Sequence, residues 1–264
     1  MSLLTWIILF CLLGGVLSVL AAASFLLLNE AARTRLLPHF VSFAIGAMLG
    51  AALLGLLPHA LEGAGAEGVH RVSLTLLLGL LGFFLLEKMV LWRHCHTEHC
   101  EAHDPESHGQ HQHHAPAGTL IIIGDAIHNC VDGVLIAAAF LTDVHLGVVT
   151  ALAVAAHEIP QEVGDFAILL HSGFSRGRAL FFNMLSTLAT VVGGVLAYYS
   201  LSGMQQALPY ILAVAASSFL YIAVADLIPG LHKRPEIADT GKQVTLISLG
   251  VTLIYVTHIF LGNV

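Results

Sequence analysis

Four polar side chains occur at helical spacing inside an apolar stretch of the sequence. His128 and Asp132 are four residues apart, and Asn129 and Asp125 are close by. On a helix this spacing places His128 and Asp132 one turn from each other on the same face, with Asn129 beside them and Asp125 one turn earlier. Imidazole nitrogens and carboxylate oxygens are common ligands of divalent transition metals. The stretch therefore has the composition of half a metal site.

A second apolar stretch, further along the chain, carries a similar set. His157 stacks with Gln161, and Glu158 with Glu162, which gives two adjacent ladders of nitrogen and oxygen donors. We expect Pro160 to remove one backbone hydrogen bond, to kink the helix and to expose a carbonyl near this set. Together the two stretches predict a metal site between two helices. The predicted ligands are His128, Asn129, Asp132, His157, Glu158, Gln161 and Glu162.

Ionisable side chains inside a membrane need a physical reason to be there. Each is unfavourable unless it is paired, hydrated or bound to an ion, so it faces a bundle interior or a pathway. A divalent cation offsets several nearby carboxylates at once. Two alternatives use similar residues: a polar network that only joins helices, and a proton relay without metal. We favour the metal site because both stretches combine imidazole with carboxylate.

The elements that must position these side chains are membrane-spanning helices. Of the 264 residues, 57% are hydrophobic and 10% are charged, whereas soluble domains have about a quarter charged residues. Apolar runs long enough to span a bilayer, which takes about 20 residues, recur along the chain. We therefore predict an all-α polytopic membrane protein, with residues 1–264 forming a single transmembrane domain. Its eight predicted helices cover residues 3–28, 38–61, 71–93, 118–141, 145–171, 178–201, 207–230 and 243–262.

Basic residues set the predicted orientation, because Lys and Arg concentrate in cytoplasmic loops. With the N-terminus outside, all basic residues except Arg71 fall on the cytoplasmic side, and an even number of helices places the C-terminus outside as well. The cytoplasmic residues are then Arg33, Arg35, Lys88, Arg93, Arg176, Arg178, Lys233, Arg234 and Lys242.

The loop at residues 94–117 differs in composition from the rest of the chain. It holds eight of the 17 histidines together with Cys95 and Cys100, and the orientation places it in the cytoplasm. We expect it to bind metal as an accessory trap or sensor, and a linker of biased composition is the alternative. The formal net charge of -7 indicates cation handling rather than nucleic-acid binding.

A weak internal echo joins the second and seventh predicted helices, which run in opposite directions. It predicts an inverted repeat, with helices one to three mirrored by six to eight around a central pair. The alternative is chance similarity in Leu- and Ala-rich sequence. The matching residues are Ala44, Leu49, Ala52, Leu56 and Pro58 in the second helix, and Ala215, Leu220, Ala223, Leu227 and Pro229 in the seventh.

The two polar motifs resemble those of the ZIP family of zinc/iron-regulated transporters, in particular its LIV-1 branch. The helix count, the outward termini and the His-rich loop after the third helix are similar too. The matching segments are Leu57-Pro58-His59, His128-Asn129-x-x-Asp132-Gly133, His157-Glu158-x-Pro160-x-Glu162 and Gly164-Asp165-Phe166.

The resemblance implies a first metal site and a neighbouring second site that share position 161. Met48 resembles a position where some members of the family add a thioether ligand. The implied first site is His128, Asp132, His157 and Gln161. The implied second site is Asn129, Glu158 and Gln161.

The resemblance further implies import toward the cytoplasm by alternating access. The bundle of the fourth and fifth helices would move relative to a scaffold, and small residues would permit close sliding contacts. The small residues that we expect at these contacts are Gly46, Gly50, Gly193 and Gly194.

The sequence departs from the family pattern at two places. Gln161 stands where the LIV-1 pattern usually has a second His, and this amide is a weaker ligand. The sixth helix offers only Ser186, Thr187 or Thr190 where some bacterial relatives have a carboxylate. These departures predict an altered affinity for the metal ion and a weak or missing second metal site.

Other candidate residues and functions remain open. His59, Asp226 and His258 are either pathway groups or packing residues. An intramembrane metalloprotease would need His-Glu-x-x-His, and Gln161 replaces its second His. A metal-sensing protein and a metal-gated channel use similar binding groups.

The sequence therefore predicts a ZIP-like carrier of zinc, with iron, manganese or cadmium as further substrates. The metal is substrate rather than cofactor, and the chain is not an enzyme. Its predicted partners are divalent metal ions and the lipid bilayer, and a homodimer is one option for the oligomeric state. Compact size and the lack of sorting signals or a large extracellular domain favour a bacterial inner membrane.

Overall fold

The computed structural model describes residues 1–94, 115–232 and 237–262. All regular secondary structure in these ranges is helical. Most of the predicted His-rich loop, together with Lys233 and Arg234, lies outside the described residues. The helices are α1 (Leu3–Phe25), α2 (Glu30–Gly50), α3 (Leu57–His94), α4 (Ala115–Thr142), α5 (Val144–His171), α6 (Arg176–Leu201), α7 (Leu208–Tyr221), α8 (Ile228–His232) and α9 (Ile237–Gly262).

Six stretches of the described residues are long and apolar enough to cross a membrane. One of them, Glu30–Met89, has 60 residues and contains Gly65, whose φ of 65° and ψ of 177° break the helix there. α5 is 28 residues long but is not among the six, because the polar residues of its motif lower its hydropathy. The fold is thus the predicted polytopic α-helical membrane protein, and the number of eight spans stays a prediction.

The second helix begins earlier than its apolar sequence indicates. α2 starts at Glu30, because the Asn29 side chain accepts a hydrogen bond from the Ala32 N–H at 2.8 Å and so caps the helix. Pro38 lies inside this helix. The predicted start at residue 38 is therefore wrong, since the first turns of α2 are too polar to be recognised as part of an apolar run.

Two π-helices interrupt the membrane helices at corresponding places. Ala51–Leu56 joins α2 to α3, and Ile222–Leu227 joins α7 to α8. They are separated by the offset of the internal echo, and a proline follows each, Pro58 and Pro229. Because π-helices are rare and often occur at functional sites, their recurrence at one offset supports the internal repeat.

The helices pack into two groups that meet beside the polar motifs. One group contains α1, α4, α5 and α6, and the other pairs α2 with α9 and α3 with α7. α2 and α7 also contact the first group, through α5 and α4 respectively. The two motifs on α4 and α5 therefore lie in the first group, close to its boundary with the second.

The four glycines that were expected at sliding contacts each lie where two helices of one group pack together. A Cβ on Gly46 would lie 2.0 Å from the Ile247 carbonyl oxygen of α9, and one on Gly193 would lie 2.0 Å from the Cys130 carbonyl oxygen of α4. Gly50 likewise faces Ile254 of α9, and Gly194 faces α1. Each of the four glycines lets two helices of one group pack closely, and sliding contacts at these positions stay a prediction.

Candidate metal centre

Four side chains of the two motifs converge on one point between α4 and α5. They are His128, Asp132, His157 and Glu158, and one ligand atom of each lies within 4.8 Å of the others. The Nε2 atoms of His128 and His157 are 3.3 Å apart, although the two residues are on different helices. Asp132, His157 and Glu158 are buried, and the His128 side chain is 27% exposed.

The separations within this cluster have the size that a shared metal ion requires. Asp132 Oδ2 lies 3.5 Å from His128 Nε2 and 3.4 Å from His157 Nε2, and Glu158 Oε1 lies 3.7 Å from His128 Nε2. Two ligands that are each about 2.1 Å from a tetrahedral zinc ion lie about 3.4 Å apart. The four atoms therefore surround a space that fits one such ion.

Local structure orients the His157 ring toward this space. Its Nδ1–H donates to the Ala153 carbonyl, one turn earlier in α5, at 3.2 Å. Because Nδ1 carries that proton, the neutral ring presents the Nε2 lone pair to Asp132. A lone pair and a carboxylate oxygen at 3.4 Å repel each other unless a proton or a metal ion lies between them.

Several carboxylate oxygens of the cluster have no hydrogen-bond partner among the described residues. Asp132 Oδ2 and both Glu158 oxygens are buried and accept no hydrogen bond among the described residues. Such atoms are unfavourable unless water or an ion satisfies them. A divalent cation at the centre would satisfy at least one oxygen of each residue.

Asn129, a fifth predicted ligand, turns away from this cluster toward α6. Its Nδ2–H groups donate to the Asp125 carbonyl oxygen at 3.1 Å and to Asp125 Oδ1 at 2.9 Å. Its Oδ1 accepts a hydrogen bond from Thr190 Oγ1 at 2.8 Å. Asn129 thus joins α4 to α6 in this conformation.

Gln161 and Glu162, the remaining predicted ligands, belong to the same second layer of polar residues. Gln161 Nε2 donates to Asp125 Oδ1 at 3.4 Å, and Glu162 Oε2 accepts a hydrogen bond from Asn183 Nδ2 of α6. The Ser186 hydroxyl donates to Asp125 as well. The layer lies one helical turn from the four-residue cluster on both α4 and α5.

Asn183 was not predicted from the sequence. It lies three and seven residues before Ser186 and Thr190, so these residues share one face of α6, and all three are buried. That polar face inside an apolar helix is the signal that could have identified Asn183.

The structure also describes other residues that the sequence analysis named. α5 runs through Pro160 as one α-helix, and Met48 is fully buried in α2. Cys11 and Cys130 are free thiols, and Cys95 and Cys100 lie outside the described residues.

This fold and site define a polytopic membrane protein with a buried cluster of side chains that could hold a divalent metal ion. The family model of the ZIP zinc transporters matches residues 92–258. The chain belongs to the ZIP family. The predicted resemblance to this family is therefore confirmed, and so is the prediction of a transporter rather than an enzyme.

Individual relatives extend the match over nearly the whole chain. Zinc transporter ZIP13 of Mus musculus is 31% identical over 265 residues, which cover 89% of this chain and 73% of the relative. ZIP13 of Pongo abelii is 30% identical over 85% of this chain and 67% of the relative. Zinc transporter ZIP4 of Mus musculus is 30% identical over 100% of this chain but only 48% of the relative, so the chain spans about half of that protein.

Proposed function

We propose that the chain transports zinc and binds it as cargo at the centre formed by His128, Asp132, His157 and Glu158. The spacing of the four ligand atoms carries this proposal, because it fits a tetrahedral ion. The names of the relatives add support, since ZIP13 and ZIP4 are zinc transporters. Iron, manganese and cadmium are further candidate substrates, because the same donor types bind them.

A metal ion explains the cluster better than a proton relay does. A relay would satisfy the contact between His157 Nε2 and Asp132 with a single proton. It would leave the Glu158 oxygens without a partner, because they are buried and accept no hydrogen bond among the described residues. One divalent ion would contact all four side chains and offset both carboxylates.

We assign the second polar layer to ion release. With the N-terminus outside, Asn129 and Gln161 lie one turn closer to the cytoplasm than Asp132 and His157. Zinc that leaves the four-residue centre inward would meet their amide oxygens and the Glu162 carboxylate. Asn129, Gln161 and Glu162 are in this proposal ligands of a transient step rather than of the stable centre.

Alternating access would arise from motion of one helix group against the other. α4 and α5 carry the centre, whereas α7 belongs to the second group and places the Phe219 ring 6.1 Å from the His157 ring. Movement of α1, α4, α5 and α6 past α2 and α7 would therefore open the centre to one side at a time. We propose import toward the cytoplasm, with both termini outside and residues 1–264 forming one transmembrane domain.

The cellular membrane is proposed from the sequence alone. We propose a bacterial inner membrane, whereas the relatives named above are mammalian. Large apolar side chains are exposed along α1, α3 and α9, and they would contact lipid or, in a homodimer, a second copy.

Zinc uptake into proteoliposomes that contain the purified chain tests this function. We expect saturable uptake that empty liposomes lack, with competition by iron, manganese or cadmium that ranks the substrates. Uptake that does not saturate would indicate a channel instead. Zinc binding without uptake would indicate a sensor and would contradict the proposal.

A further inference from the structure

A second pair of histidines lies where the start of α3 meets the end of α9. His59 is in the first turn of α3, and His258 is near the end of α9. Their ring centroids are 5.6 Å apart and the rings meet at 84°. The rings of His128 and His157 have almost the same arrangement, at 5.5 Å and 89°. The second pair therefore reproduces the ring geometry found in the metal centre.

The hydrogen bonds of His59 leave a lone pair free for a metal ion. Its Nδ1–H donates to the Gly55 carbonyl at 2.9 Å, as the Nδ1–H of His157 does to Ala153. The neutral ring therefore has an unprotonated Nε2. His39 and His171 make the same backbone bond, so this bond alone does not identify a site. The neighbouring imidazole of His258 is what distinguishes His59.

His258 supplies an independent observation. Its Nδ1 is buried and has no hydrogen-bond partner among the described residues. A buried imidazole nitrogen without a partner calls for water or an ion close by. A cation held between His59 and His258 would bind a ring nitrogen of each that has no hydrogen-bond partner among the described residues.

The pair lies next to the boundary between the two helix groups. The Gly55 carbonyl that accepts the hydrogen bond from His59 belongs to the π-helix Ala51–Leu56. A Cβ on Gly55 would lie 3.3 Å from Leu146 Cδ1 of α5, so this π-helix contacts the group that carries the metal centre. A cation at the histidine pair would therefore be at the outer end of the same boundary on which the centre lies.

We propose that His59 and His258 form an outer docking site for the divalent cation, from which the ion passes to the centre between α4 and α5. This inference rests on the proposed function and orientation. Two imidazoles with water as the remaining ligands bind zinc more weakly than the four side chains of the centre. Weak binding suits a site that must release its ion inward.

Protection of a cysteine from alkylation tests the site without depending on transport. The native cysteines are replaced by serine and His59→Cys is introduced, so that Cys and His258 still offer two zinc ligands. We expect zinc to slow labelling by a membrane-impermeant maleimide about fivefold or more, because thiolate binds zinc strongly. His70→Cys, on the same helix and exposed, is the matched control and should show no such slowing.

The second residue of the pair is then removed. Adding His258→Ala, or His258→Gln if the first variant does not fold, should reduce the slowing to the level of the His70→Cys control. Slowing that is unchanged without His258, or no slowing in His59→Cys, would overturn the proposal. The slowing should persist when His157→Ala disables the centre, so failure of the outer site and failure of the proposed function give different results.

Discussion

Thr190 of α6 donates a hydrogen bond to the amide oxygen of Asn129 on α4, at 2.8 Å. Asn129 in turn donates to Asp125 Oδ1 at 2.9 Å, and Asp125 accepts the Ser186 hydroxyl of α6. The two helices are thus joined by a chain of buried, hydrogen-bonded polar groups one turn from the four-residue cluster. With its oxygen bonded to Thr190 and its nitrogen to Asp125, the Asn129 side chain faces α6 rather than the four-residue cluster in this conformation.

Replacing Thr190 by valine removes this bond with almost no change of shape. Thr190→Val should lower the free energy of unfolding by about 1–3 kcal/mol, because the buried Asn129 oxygen loses its donor. Thermal unfolding in detergent measures the change. Thr187→Val is the matched control, since among the described residues its hydroxyl donates to the Met184 carbonyl of its own helix and not to α4. Equal shifts in both variants would contradict the role assigned to Thr190.

Substitution of Gln161 tests the role in ion release that we assign to the second polar layer. Gln161→His should lower both the maximal rate of uptake and the zinc concentration for half-maximal uptake, because an imidazole retains zinc at the release step more strongly than an amide does. Gln161→Leu, which removes the ligand, should not have this effect. Uptake assays in proteoliposomes give both values. An unchanged half-saturation in Gln161→His would show that position 161 does not contact the ion.

Close packing of α4 on α6 depends on Gly133. A Cβ at this position would lie 1.9 Å from the Thr190 carbonyl oxygen, so Gly133→Ala should force the helices apart and destabilise the fold by about 1–3 kcal/mol. Gly124→Ala on the same helix should have little effect, because no atom lies within 4 Å of a Cβ there. Thermal unfolding of the two variants distinguishes them, and equal stability would refute the packing argument.

The His-rich segment is expected to be an accessory. Deleting residues 94–117 should change how uptake responds to cytoplasmic metal more than it changes maximal flux, because the four ligands of the centre lie elsewhere. Initial uptake rates at saturating zinc, with and without preloaded metal, measure both quantities. Complete loss of transport would show that the segment is needed for the transport step itself.

The sequence predicted the cluster of four side chains that we propose as the metal centre, because its signal is local. The spacing of His128 and Asp132, and the adjacent His157 and Glu158, suffices to place four donors on facing helices. It could not assign Asn129 to α6, because the partner of a helix face depends on how the helices are rotated in the packed bundle. Asn129 and His128 are neighbours in sequence, yet only His128 points to the centre.

Other features of the structure could not be predicted from the sequence, for different reasons. The π-helix Ala51–Leu56 consists of Ala, Leu and Gly, whose types do not distinguish π from α geometry. The start of α2 at Glu30 depends on the Asn29 cap outside the apolar run. The histidine pair of His59 and His258 joins residues from distant parts of the chain, so no spacing rule could reveal it.

Zinc uptake by His157→Ala in proteoliposomes, beside His171→Ala, tests the central claim most directly. Both residues are on α5 and both donate Nδ1–H to the carbonyl one turn earlier, but only His157 is part of the four-residue centre. We predict that His157→Ala abolishes or greatly reduces uptake while His171→Ala transports like the wild type. Wild-type uptake in His157→Ala, with the protein correctly inserted, would contradict a metal path through this centre.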